Sequence, residues 1–127
     1  MTETPLIKGQ ASWGAFSIAR QGSLLVVVGG DFKDDVDSKR TAAYSLDAGV
    51  TWTLATRPPT GFRSAVAFLN RDTLLSAGTG GEDVSTDQGA HWTRTGDKDL
   101  NAIAVLDGAA WAVGPNATIV HWTDRTH

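Results

Sequence analysis

The sequence predicts an all-β chain of repeated antiparallel sheet modules, and three observations predict it. First, an eight-residue box recurs without a gap. Ser45-Leu46-Asp47-Ala48-Gly49-Val50-Thr51-Trp52 and Ser85-Thr86-Asp87-Gln88-Gly89-Ala90-His91-Trp92 share the pattern S-x-D-x-G-x-x-W, with Trp52 and Trp92 40 residues apart. Second, short apolar runs alternate with turns rich in Gly, Asp and Asn, the pattern of antiparallel meanders. Third, no segment keeps a helical period over three turns. Four short strands per unit, with units of roughly 40 to 50 residues, are the signature of a β-propeller blade.

The units align along their whole length. An innermost strand is expected at 15–19, 64–68 and 102–106, each followed by a polar or Gly-containing turn. A second apolar run then ends in Gly, at 24–29, 74–78 and 109–114. A third strand enters the box, as in Thr41-Ala42-Ala43-Tyr44, and a fourth leaves through Trp, as in Thr51-Trp52-Thr53-Leu54 and His91-Trp92-Thr93-Arg94. In the third unit Thr118-Ile119-Val120-His121-Trp122 reads as the third strand, with no fourth after it. Residues 1–127 are therefore expected to form a single propeller segment. It comprises a blade-closing strand at about 4–10, a blade at 12–57, a blade at 60–97 and an incomplete blade at 100–124. Three blades are too few to close a ring. The open arc would leave two apolar faces, and patches of that kind invite association. The expectation is a homodimer that completes a six-bladed ring, or a fragment of a longer chain.

Composition narrows the function. Hydrophobic residues at 41% and charged residues at 20% suit a folded chain. A formal charge of -3 gives no support to nucleic-acid binding, which needs an excess of Lys and Arg. The absence of Cys excludes disulfides, thiolate nucleophiles and zinc–thiolate sites. No apolar run approaches membrane-spanning length, and Met1-Thr2-Glu3-Thr4-Pro5 lacks the basic and apolar regions of a signal peptide.

Each box is expected to be a rivet. Asp47 and Asp87 can accept hydrogen bonds from backbone N–H groups of the turn, while Gly49 and Gly89 supply a positive φ. Trp52 and Trp92 are expected to bury their rings between blades, with Ser45 and Ser85 opening the turns. A catalytic carboxylate pair is the sharper alternative, but one Asp per blade spreads the two around the rim.

This box is the Asp-box, or bacterial neuraminidase repeat, and the resemblance extends further. Residues 12–122 resemble the C-terminal part of the bacterial Asp-box propellers related to the photosystem II stability and assembly factor, often labelled oxidoreductases. The matching segments are Ser12-Trp13-Gly14-Ala15-Phe16-Ser17, Val28-Gly29-Gly30-Asp31-Phe32, Gly61-Phe62-Arg63-Ser64-Ala65-Val66 and Gly80-Gly81-Glu82-Asp83-Val84-Ser85. The resemblance implies a propeller that holds a protein or peptide partner, and family members are often exported. No G-x-G-x-x-G in a strand–helix context, cysteine pair or metal triad accompanies the oxidoreductase label, so no cofactor is expected.

Candidate sites follow from position and chemistry. Arg63, with Ser64, enters an innermost strand and could meet a ligand carboxylate at the channel mouth, together with Asp31. The alternative for Arg63 is pairing with an acid of a neighbouring blade, Asp31 or Asp83. The loop holding Asp31, Asp34, Asp35 and Asp37 could offer oxygens to Ca²⁺, although the EF-hand Gly and Glu are missing, and a solvated loop is the plainer reading. His91 and His121 read as strand-surface residues, and His127 ends the sequence. Asn116-Ala117-Thr118 fits a glycosylation acceptor pattern that is frequent by chance. The functional expectation is a non-enzymatic binding scaffold of the assembly-factor kind. One alternative is a truncated propeller that only self-assembles. The other is a sialidase-type glycoside hydrolase, which needs an arginine cluster, an acid and a Tyr nucleophile. The sole tyrosine, Tyr44, lies on a strand entering a box, and Arg63 is the lone good arginine.

Overall fold

The computed structural model describes residues 13–31, 41–59, 61–106 and 108–123, with the side chains of residues 13–16 and 31 outside the description. Every regular element among the described residues is a strand. The first sheet runs β1 (Trp13–Gln21), β2 (Leu24–Asp31), β3 (Ala42–Ser45) and β4 (Thr53–Leu54). The second runs β5 (Ala65–Phe68), β6 (Leu74–Gly78), β7 (Gly81–Ser85) and β8 (Thr93–Gly96). The third holds β9 (Ala102–Leu106), β10 (Ala109–Gly114) and β11 (Thr118–Thr123). Strands adjacent in sequence pair antiparallel within each sheet, as short hairpin connections dictate. The expected closing strand at 4–10 lies outside the described residues.

Register fixes which residues are equivalent. Leu25 pairs with Ser45, Leu74 with Ser85 and Ala110 with Trp122, so the three sheets superimpose position by position. Because side chains alternate across a strand, each sheet has two faces. In β2, Val26 and Val28 point to one and Val27 to the other. Val26, Val28 and Ala42 of the first sheet meet Val66, Leu74 and Trp92 of the second in one apolar cluster. Leu75 and Leu69 then meet Ala110 of the third, flanked by Ile103, Val105 and Trp122, while Ala77 packs with Leu100 and Ala112. Each sheet thus lays a forward face on the backward face of the next.

The first strands of the sheets stand side by side, β1 against β5 and β5 against β9. Val66 N–H donates to the Ser17 hydroxyl across that seam at 3.1 Å. Backbone bonds stitch the units in a repeated pattern: Arg63 N–H donates to Gly29 C=O and Leu100 N–H to Gly78 C=O, both at 3.0 Å. The incoming segment crosses tightly over the Gly that ends its own second strand. A Cβ on Gly78 would strike the Phe62 carbonyl oxygen, and one on Gly114 the Asp99 carbonyl. The Gly at the end of the second apolar run is thereby explained by close approach.

Candidate functional site

Arg63 sits on the segment leading into β5, and its side chain is 1% exposed. Its Nε donates to Asp83 Oδ2 at 2.7 Å, and Nη1 donates to the Phe62 carbonyl at 2.9 Å. Asp83 lies on β7, so the pairing falls within the residue's own sheet rather than with a neighbouring blade. The geometry makes Arg63 a clamp: it binds the segment entering the innermost strand to the third strand of the sheet. Around it the β6–β7 turn carries an exposed polar rim. Arg94 Nη2 donates to Gly80 C=O at 2.7 Å, Gly80 N–H donates to Asp99 Oδ1 at 2.7 Å, and the Ser64 hydroxyl donates to Asn101 C=O at 3.1 Å. Arg94, Asp99 and Asn101 face solvent, with Ser64 half-buried below them.

Register gives the signal that sequence reasoning left unused. Ser64 N–H bonds to Ala77 C=O as Asn101 N–H bonds to Val113 C=O, so Arg63 is the counterpart of Leu100. Asp83 is likewise the counterpart of Ala43 and Val120. The second sheet places a buried ion pair where its neighbours carry apolar side chains. Glu82 beside it is buried too, with Oε2 lacking a hydrogen-bond partner among the described residues. Burial, above all, pushes its carboxyl above the ordinary range, and the nearby Asp83 charge adds to that.

The two boxes share one hydrogen-bond scheme. The Ser45 hydroxyl donates to Asp47 Oδ1 at 2.7 Å and accepts from Gly49 N–H at 2.8 Å. Ser85 does the same toward Asp87 and Gly89, at 2.9 and 3.0 Å. Each carboxylate accepts from the backbone N–H four residues on, Thr51 at 2.8 Å and His91 at 2.9 Å. The indole N–H of Trp52 and of Trp92 donates to the carbonyl of Gly49 and of Gly89. Both glycines have φ near +90°. The preceding residues, Ala48 and Gln88, are left-handed as well, at φ 60° and 68°, which the pattern x-G did not disclose. The Thr51 hydroxyl first, then the Thr51 and Ser45 hydrogen bonds, hold the Asp47 carboxyl at about 2. For Asp87, partial burial pushes upward, but the bonds from His91 and Ser85 outweigh it and the net shift is downward.

The remaining candidates separate. Asp34, Asp35 and Asp37 lie outside the described residues, as does the side chain of Asp31, whose backbone ends β2. Among the described residues, no three His, Cys, Asp or Glu side chains converge to hold a metal ion. His91 bonds to Asp87 at 2.6 Å, His121 stacks on Trp111 with ring centroids 5.1 Å apart, and Tyr44 packs against the first apolar cluster. At the opposite end of the sheets a cavity of about 250 Å³ opens between Gln21, Leu24, Phe68, Arg71 and Gln88. No helix among the described residues is long and apolar enough to cross a membrane.

No family model matches this chain, and no curated protein sequence matches it. Solved structures do match in fold. The structure of YCF48 bound to D1 peptide is similar at 15% identity with a TM-score of 0.62, over 95% of this chain and 39% of that one. The Niastella koreensis GH74 enzyme is similar at 23% identity with a TM-score of 0.64, over 97% of this chain and 18% of that one. The chain therefore spans well under half the length of either protein. Both are β-propellers, and three adjoining antiparallel sheets that stack forward face on backward face are what a part of such a ring consists of. This chain is a partial β-propeller.

Proposed function

We propose that the protein is a non-enzymatic propeller scaffold of the assembly-factor kind. It holds a protein or peptide partner at the rim built over Arg63 and Ser64, and its ring is completed by a second copy. The observation that carries this reading is the likeness, over 95% of the chain, to YCF48, whose solved structure holds D1 peptide. A rim of backbone and side-chain donors and acceptors on a rigid sheet suits peptide recognition, since loops carry binding on scaffolds. The state of the boxes supports leaving them outside any chemistry. A carboxylate held at about 2, as Asp47 is, makes a poor proton donor at neutral pH.

Selection from a displayed random-peptide library against the purified protein tests the reading. Enriched peptides, resynthesised and measured by fluorescence anisotropy, are expected to bind the wild type and to lose about tenfold in affinity, roughly 1.4 kcal/mol, on Asn101→Arg with an unchanged melting temperature. Enrichment of nothing, or of peptides indifferent to Asn101→Arg, would sink it and leave self-assembly as the chain's property. The likeness to the GH74 enzyme favours an enzymatic alternative. Turnover of a fluorogenic sialoside or glucoside by the purified protein would establish that alternative in place of the scaffold.

A further inference from the structure

The chain makes one kind of junction twice, and each end of the arc keeps half of a third. On the forward face of the third sheet, Leu106, Trp111, Val113 and Ile119 are exposed by 66%, 40%, 47% and 67%. Register places Trp111, Val113 and Ile119 where the first sheet has Val26, Val28 and Ala42, the residues that meet the second sheet. The backward face of the first sheet is apolar as well, apart from the exposed Arg20. Val27 and Ala43 lie there under half-buried Trp52 and Leu54, and Ile18, cross-strand from Val27, is 58% exposed. Ile18 and Trp52 stand where the second sheet has Val66 and Trp92, the residues that receive Val26 and Val28.

We infer that the exposed forward face of the third sheet packs on the backward face of the first sheet of a second copy, head to tail, so that two copies form two identical junctions. The inference deepens the reading of a ring completed by a second copy, on which it rests. What selects a second copy is continuity. The two free faces are the complementary halves of an interface the chain already forms between its own sheets, and neither is polar enough to be a finished surface. Opposite-face pairing also accounts for one exchange between repeats. Arg20 of the first sheet replaces Phe68 of the second and Val105 of the third; Phe68 packs against the cluster that holds Val26, and the counterpart of Val26 on the third sheet is Trp111. A guanidinium over an indole face is a favourable contact, where Phe served against Val. A like-face arrangement would instead set Trp111 against Trp111 and leave Ile18 and Trp52 uncovered. Head-to-tail contacts that close after two copies form a finite ring and not a filament.

The test uses the absence of Cys from the chain. Ile18→Cys and Ile119→Cys change only exposed positions, and a short bis-maleimide reports whether they meet. A mixture of the two single variants is expected to give a cross-linked heterodimer, while neither variant alone cross-links. Light scattering on the unlinked wild type is expected to show twice the chain mass. Ile119→Asp and Ile18→Asp should each be monomeric, and each should keep its circular dichroism spectrum. Cross-linking of Ile119→Cys chains with one another, or an Ile18→Asp chain that still dimerises, would show like-face pairing and overturn the head-to-tail junction, sparing association of two copies but not closure of a ring. A wild type that stays monomeric at all concentrations would remove both.

Discussion

Trp52 and Trp92 close the same box in adjacent sheets, yet Trp92 is 1% exposed and Trp52 is half-buried. Their local bonds are the same, down to the indole N–H donated to the carbonyl of the box Gly. The difference comes from what stands behind them. Trp92 enters the cluster of Val26, Val28 and Leu74 because the first sheet lies against it. Trp52 covers Val27 and Ala43 with no preceding sheet among the described residues to cover it in turn. Box geometry is a property of eight residues, whereas burial of its tryptophan is a property of the junction.

The comparison can be broken most directly at the rings themselves. Trp92→Ala is expected to cost about 3–5 kcal/mol, as for a fully buried aromatic. Trp52→Ala should cost roughly half as much, in proportion to the apolar area it removes from water. Chemical denaturation at low protein concentration measures both. If a second copy covers Trp52, its cost should rise toward that of Trp92 as concentration rises. Equal costs at the lowest concentration would mean the box alone, and not the junction, sets the energy.

The next contrast lies at Asp83, whose counterpart in the first sheet is Ala43. Arg63→Leu alone is expected to destabilise by about 3–5 kcal/mol, because it leaves Asp83 buried without its cation. Arg63→Leu with Asp83→Ala restores the apolar pattern of the other sheets, and should return to within about 1 kcal/mol of wild type or exceed it. A double variant as unstable as the single one would show that the pair holds the entering segment in a way that packing cannot replace. Peptide capture by a stable double variant would then separate a clamp from a ligand contact.

How much of this was legible depends on the range of the interaction. Strands and boxes are local, so periodicity, Gly and Asp declare them, and the second apolar run ending in Gly marks the tight crossing at Gly78 and Gly114. The Arg63 pairing is intermediate. Asp83 was within view as a partner and falls inside the expected blade at 60–97, yet it was counted with a neighbouring blade; only the register, which aligns it with Ala43 and Val120, shows that it faces the segment entering its own sheet. Unequal burial of two tryptophans in one motif was beyond the motif altogether, because it depends on neighbours that the motif does not encode. The left-handed backbone at Ala48 and Gln88 escaped for a different reason: neither residue type advertises a positive φ as Gly does.

The carboxylates differ in partner rather than in placement. Asp47 takes a hydroxyl and an N–H from Thr51, and Asp87 takes an N–H and the ring of His91. Both lie below the ordinary value of 3.8 in the folded chain. A depressed folded pKa stabilises fully above the unfolded value and loses that contribution as pH falls through the folded one. Acid weakening of the first box is therefore expected between about pH 4 and pH 2. Carboxyl-carbon chemical shifts should show Asp47 titrating near 2, and Thr51→Val should move it upward without moving Asp87. An Asp47 midpoint at the ordinary value would mean that the Thr51 bonds do not persist in solution.

The smallest expected effect tests the strain shared by the boxes. Ala48 and Gln88 hold φ of 60° and 68°, a region that costs an L-residue roughly 1–2 kcal/mol. Glycine escapes that cost but gives back about 0.5–1 kcal/mol in lost chain entropy, so Ala48→Gly should gain a few tenths to about 1 kcal/mol. Gln88→Gly should gain less, because Gln88 also lines the cavity beside Leu74 and Arg71 and would forfeit those contacts. Ala48 has no such wall to lose, and its N–H donates to Ser23 C=O at 2.9 Å, a bond that Gly keeps. Urea midpoints of the two variants decide the matter. A gain at residue 48 that exceeds the gain at residue 88 assigns the difference to the packed junction around the second box, while a loss at residue 48 would mean that the turn in solution does not hold the left-handed conformation there.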